Sequence, residues 1–297
     1  MSFGAGDRDA YLIKTDANGN ALWTKTYGGT AEDYGNSVQQ ANDSGFVIVG
    51  TTTSFGAGYY DVSLFKTDVN GTVLWAKTFG GTVYEDANSI EKTNDGGYII
   101  AGSTTSFGAG GYDVYVIKTD ASGNNQWTKT FGGSSDDGAF KISQTSDSGY
   151  VISGYTYSFG AGQSDIYLLR LTATGDTLWT KTYGGTDTDL GDYVQQTSDS
   201  GFIIAGQSFS FGVASDAYLI KTDANGNIFW TKTYGGTAYD FGSTVQITSD
   251  GGYSVIASAQ SFGAGGSDIY LIKTDGSGNS GCNQGGTATV TGAIGFY

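Results

Sequence analysis

A unit of 52 residues repeats along the whole chain, and no other feature limits the fold so sharply. The phrase Ser-Phe-Gly begins at Ser2, Ser54, Ser106, Ser158, Ser210 and Ser261, and tryptophan returns at Trp23, Trp75, Trp127, Trp179 and Trp230. The step is constant except once, where a residue is lost between Ser210 and Asp216. A period of this size with strand-like content signals a stacked or radial array, in which each unit buries its apolar surface against its neighbours. An unbroken repeat points to one closed domain over residues 1–297, with several copies of one modest site rather than a single elaborate centre.

Within a repeat the polarity pattern predicts four strands. Asn36 to Gln40 is polar, and the turn Asn42-Asp43-Ser44-Gly45 leads to the apolar run Phe46 to Val49. A long loop holding Ser54-Phe55-Gly56-Ala57-Gly58 precedes a third strand, Asp61 to Lys66. Asn70-Gly71, the strongest two-residue hairpin signal, then turns into Val73 to Phe79. The second and third strands are near-continuous apolar runs, which suits a sheet covered on both faces, and the fourth alternates Trp and Lys as a half-exposed outer strand does. Four-stranded antiparallel sheets packed face to face around an axis make a β-propeller. An open solenoid needs capping repeats with a polar outer face, and none is evident. Each Trp is expected to seal one blade against the next.

The terminus decides the blade number. Thr287 to Val290 and Ile294 to Tyr297 read as two short strands that complete the N-terminal pair and close six blades; without them, five close and a strand overhangs. Six is the preferred count.

Charge and residue types narrow the function. The formal net charge is −15, whereas binding a phosphate backbone or an anionic membrane surface requires clustered Lys and Arg, so neither is expected as a partner. No apolar run reaches the roughly 18 residues that span a bilayer. The chain has no His, and its one cysteine, Cys282, lies in the degenerate terminal segment. Ser-His, Cys-His and His-metal chemistry and an internal disulfide are therefore excluded. Low Lys with abundant Thr, Asn and Gly points to a secreted or cell-surface monomer whose signal peptide is missing ahead of Met1.

The residues also resemble a known group. Gly19-Asn20-Ala21-Leu22-Trp23 and its copies are similar to the Gly-x-x-x-Trp signature of quinoprotein-type blades, and the wider Asp-x-Tyr-Leu-Ile-Lys-Thr-Asp…Trp-Thr-Lys-Thr-Tyr-Gly-Gly unit resembles the bacterial secreted beta-propeller repeat (SBBP-like) family. The resemblance covers nearly the whole chain and implies a propeller of bacterial, extracellular origin. It implies no quinone cofactor, because the eight blades and cysteine pair of the dehydrogenases are missing.

In a propeller blade the second-to-third and fourth-to-first connections share one face, here the long-looped one, where ligand sites concentrate. Two sets of residues there are candidate ligand contacts. Asp33, Glu85, Asp137, Asp189 and Asp240 open the innermost strands and would form a ring of carboxylates able to take a hard cation or sugar hydroxyls. The other reading makes each a clasp that accepts backbone N–H groups of its loop. Phe3, Phe55, Phe107, Phe159, Phe211 and Phe262 offer rings to stack on a sugar, or plug the gaps between blades. Asp9, Asp61, Asp113, Asp165, Asp216 and Asp268 read as loop pins. Asp16 to Asn20 fails the spacing of a calcium loop, so no cofactor is expected and calcium has no motif behind it.

Glycoside hydrolysis needs two acids in different surroundings, and equivalent repeated acids provide none; the departures Phe140, Lys141 and Arg170 form no catalytic set. The sequence is thus read as no enzyme but a non-catalytic, lectin-like binding or adhesion module that engages an extracellular glycan or polymer by avidity. A spacer or display domain without a ligand, and a glycosidase, are the alternatives.

Overall fold

The computed structural model describes residues 4–281, and every regular element in it is a strand. Phe3, Cys282 and the two terminal strands on which the six-bladed closure depends lie outside the described residues. The chain divides into two compact units, residues 1–144 and 145–297.

The first unit opens with the hairpin β1 (Ala10–Thr15) and β2 (Ala21–Tyr27). Two four-stranded antiparallel sheets follow, each in chain order: β3 (Asp33–Gln40), β4 (Phe46–Thr52), β5 (Asp61–Thr67), β6 (Val73–Phe79), then β7 (Glu85–Lys92), β8 (Tyr98–Thr104), β9 (Asp113–Thr119), β10 (Asn125–Phe131). The strand β11 (Asp137–Gln144) ends the unit. The second unit holds β12 (Tyr150–Thr156), β13 (Asp165–Leu171) and β14 (Thr177–Tyr183). It continues with the four-stranded sheet β15 (Asp189–Gln196), β16 (Phe202–Ser208), β17 (Asp216–Thr222), β18 (Ile228–Tyr234), and then with β19 (Asp240–Ile247), β20 (Tyr253–Ala259), β21 (Asp268–Thr274).

The apolar second and third strands form the core, as their composition requires: β8, β9, β13 and β17 are buried at every residue. The innermost strands run three residues further back than the polar stretch alone suggests, because each carries a bulge, between Gly35 and Ser37 in β3 and between Ala87 and Ser89 in β7. A bulge adds a residue and bends the strand, which lets Asp33 and Glu85 pair at the loop end.

Tryptophan joins successive sheets. Trp23 meets Phe46 edge-on at 5.9 Å, and Trp179 and Trp230 meet Phe202 and Tyr253 in the same way. Each also leans on the Asn-Gly or Ser-Gly turn one repeat on: a Cβ on Gly123 would stand 2.6 Å from the Trp75 ring. Beneath the opposite turns lies a repeated ion pair. Lys118, Arg170 and Lys221, all buried in the third strand, reach Asp95, Asp147 and Asp199 at 2.9, 2.6 and 2.8 Å.

Candidate functional site

The long loops are tied by one repeated clamp. The residue before each loop-pin aspartate gives its carbonyl to the N–H of the acid that opens the next first strand: Arg8 to Asp33 (2.8 Å), Tyr60 to Glu85 (3.0 Å), Tyr112 to Asp137 (2.7 Å), Ser164 to Asp189 (2.8 Å) and Ser215 to Asp240 (2.7 Å).

Asp33, Glu85, Asp137, Asp189 and Asp240 are all buried, and each accepts the N–H of the second glycine of its loop, Gly29, Gly81, Gly133, Gly185 and Gly236, at 2.6–2.9 Å. Further donors reach them, among them Ser54 and Thr52 for Asp33, Thr104 for Glu85, Ser210 for Asp189, and the N–H groups of Gln260 and Ser261 for Asp240. The geometry is that of the clasp, with the carboxylates turned into the loops. Asp61, Asp113 and Asp165 pin their loops in the same manner, through Gly58, Ala109 and Ala161. Asp216, in the loop that is one residue shorter, is pushed up to about 6 by burial and by the charge of Asp240.

The loop phenylalanines are half-exposed. Phe107, Phe159, Phe211 and Phe262 lie on Tyr115, Tyr167, Tyr218 and Tyr270, with centroids 5.2–6.0 Å apart, and Phe55 packs against Gly29.

Because side chains alternate along a strand, a clasp acid that points inward sends both flanking residues outward. These flanks are where the repeats differ: Glu32 and Tyr34, Tyr84 and Asp86, Asp136 and Gly138, Thr188 and Leu190, Tyr239 and Phe241. In the first unit the clamps bring them into one belt. Arg8 donates to the Tyr34 hydroxyl at 2.8 Å and stands 3.7 Å from Glu32. The Tyr60 hydroxyl donates to Glu32 at 3.2 Å. The rings continue from Tyr59 to Tyr60 (4.9 Å), Tyr60 to Tyr84 (5.0 Å) and Tyr84 to Tyr112 (5.4 Å), and the Tyr112 N–H is held by Asp136 at 2.9 Å. At Tyr34 the belt borders a cavity of 510 Å³ lined in part by Tyr27, Phe55 and Phe65.

Two acids of the belt differ in surroundings. Glu32 is partly exposed beside the Arg8 guanidinium. Asp86 is half-buried, accepts the Ser103 N–H at 2.7 Å, and is pushed up to about 6, chiefly because burial disfavours its charged form. Its partner Tyr84 is raised to about 12, first by burial and then by the Asp86 charge.

No protein-family model matches the chain. Its fold is that of β-propeller proteins: the Pan2 WD40 domain of Neurospora crassa aligns with a TM-score of 0.52 at 11% identity, over 84% of this chain and 66% of that one. The endo-1,5-α-L-arabinanase of Thermotoga petrophila RKU-1 aligns at 0.41 and 11% identity over 87% of this chain and 76% of its own. The mannose phosphorylase MPT-4 of Leishmania mexicana aligns at 0.37 and 15% identity over 82% and 85%. In sequence the chain is 27% identical over 173 residues to the regulatory protein FlaEY of Caulobacter vibrioides, covering 50% of this chain and only 18% of that protein.

The expectation that the chain is not an enzyme is set aside: enzymes stand among these neighbours, whose likeness is one of fold alone. That expectation rested on the equivalence of the repeated acids. The clasp acids are equivalent; Glu32 and Asp86, which flank them, hold different repeat positions and occupy unlike environments. The signal that finds them is divergence at the two positions beside an invariant residue.

Proposed function

We propose that the chain is an extracellular carbohydrate-active propeller that binds a neutral glycan along the tyrosine belt of its first unit and hydrolyses it through Asp86 and Glu32. The carrying observation is an asymmetric pair of carboxyl groups on one run of touching tyrosine rings. Tyrosine faces stack on the C–H faces of sugar rings, while their hydroxyls and the acids bond sugar hydroxyls. The net charge of −15 favours an uncharged glycan over a uronate or sulfated one. The resemblance of the repeats to the bacterial secreted beta-propeller family supports the extracellular setting.

In this reading Asp86, protonated at pH 5–6, gives its proton to the glycosidic oxygen, and Glu32, held beside Arg8, takes a proton from the attacking water. The test is release of reducing ends from a panel of neutral polysaccharides by the wild type, Asp86→Asn and Glu32→Gln. Each substitution is expected to lower kcat by roughly 10²- to 10⁴-fold. Because the acid form of Asp86 does the work, the rate should fall as pH rises past about 6. A wild type inert on every neutral glycan, or variants with undiminished rates, would refute the proposal.

A further inference from the structure

The second unit has its own outward flanks. Tyr239 and Phe241 project to the same side of the clasp acid Asp240, and their rings lie 6.0 Å apart and within 10° of parallel. Phe209, at the start of the preceding second-to-third connection, leans on both, at 6.1 and 6.3 Å. Its N–H is fixed by the Thr188 carbonyl at 2.9 Å, and the Tyr239 carbonyl is fixed by the Gln260 N–H at 2.9 Å. Tyr239 is 48% exposed, although burial of an aromatic ring stabilises a fold more than almost any other single contact. Tyr239 occupies the repeat position of Tyr84, and Phe241 that of Asp86. The second unit therefore presents an aromatic platform where the first presents its acid, with no carboxyl at either flank.

We propose that Phe209, Tyr239 and Phe241 form a second, non-hydrolytic binding platform for a neutral glycan. Parallel, partly exposed aromatic faces suit the C–H face of a pyranose ring. The strongly negative chain disfavours an acidic occupant. The choice of a sugar rests on the reading of the first unit, whose tyrosines hold the matching repeat positions. A platform of this kind retains polymer without cutting it.

The experiment is affinity electrophoresis of the full chain through gels containing individual neutral polysaccharides, with an uncharged gel as reference. Asp86→Asn is the background, so that cleavage does not obscure retention. Adding Tyr239→Ala and Phe241→Ala should weaken retention at least tenfold, whereas Phe241→Tyr should preserve it, with unchanged circular dichroism in both. Retention unaltered by the double substitution would overturn the platform, even with hydrolysis by the first unit intact. Retention that persists in Asp86→Asn but vanishes with Tyr239 and Phe241 would uphold it, even where the wild type hydrolyses nothing. A wild type retained by none of the gels would overturn it too.

Discussion

Replacing Asp192 by Asn should stabilise the protein at pH 8 and leave it nearly unchanged at pH 5. In the first unit the bulge residues Asn36 and Asn88 donate their side-chain amides to the Ala87 and Ala139 carbonyls of the next innermost strand, at 2.8 and 3.0 Å. Asp192 occupies the same bulge in β15, and one repeat on the matching carbonyl is that of Gly242. A carboxylate has nothing to donate there; a protonated carboxyl has. Burial alone pushes Asp192 up to about 7. The gap from an ordinary carboxyl near 4 corresponds to roughly 4 kcal/mol, which solvent screening of a partly exposed group reduces to about 2 kcal/mol. The folded state binds the proton more tightly than the unfolded state, so this contribution is complete below pH 4 and disappears as pH rises through about 7. Asn carries a permanent donor and no charge. Urea unfolding at pH 5 and pH 8 should therefore show wild type and variant close together at the lower pH, and the variant ahead by about 2 kcal/mol at the higher. An equal difference at both pH values would refute the reasoning, because it would mean that ionisation of Asp192 plays no part.

Other tests reach other links of the fold. Asp199→Asn leaves the Lys221 ammonium, 5% exposed, without its anion and should cost roughly 3 kcal/mol in urea unfolding. At the open Lys273–Asp250 pair the matching Asp250→Asn should leave the midpoint where it is. Burial pushes the Asp199 carboxyl up, but Lys221 and Thr197 outweigh it and hold it at about 2, so its contribution is present above pH 4 and lost as pH falls through 2. Gly123→Ala combines a positive φ of 75° with a Cβ 2.6 Å from Trp75, whereas Gly96→Ala has a similar φ of 84° and open space. Both should lose about 1–2 kcal/mol to the backbone, and Gly123→Ala distinctly more, the excess measuring how tightly the tryptophan closes on its neighbour. Repeats this alike invite mispairing, so refolding yield should fall with protein concentration; concentration-independent recovery would contradict it.

What the period made legible is what every repeat must do: fold four strands, clasp the loops and seat a tryptophan on the next turn. Those duties restrict residue type, so the clasp acids Asp33, Glu85 and their copies, the loop aspartates and the tryptophans stood out by their recurrence. The ion pairs under the tight turns were not legible: Lys118 with Asp95 lay hidden because an aspartate in a Ser-Asp-Gly-Gly-like turn has a sufficient local role. The belt was not sought, because invariance is the wrong signal for it. A fold made of copies differentiates only at positions its architecture leaves free, and alternation along the first strand leaves free the two residues beside each clasp. Tyr84 and Asp86, or Tyr239 and Phe241, change the outward chemistry of a repeat while Glu85 or Asp240 keeps its loop closed. Asp216 shows the same freedom misplaced: its loop lost a residue, and its carboxyl is driven upward beside Asp240. Function in such a chain is therefore expected next to the conserved pattern, one residue to either side, where the backbone is already held and the side chain is not.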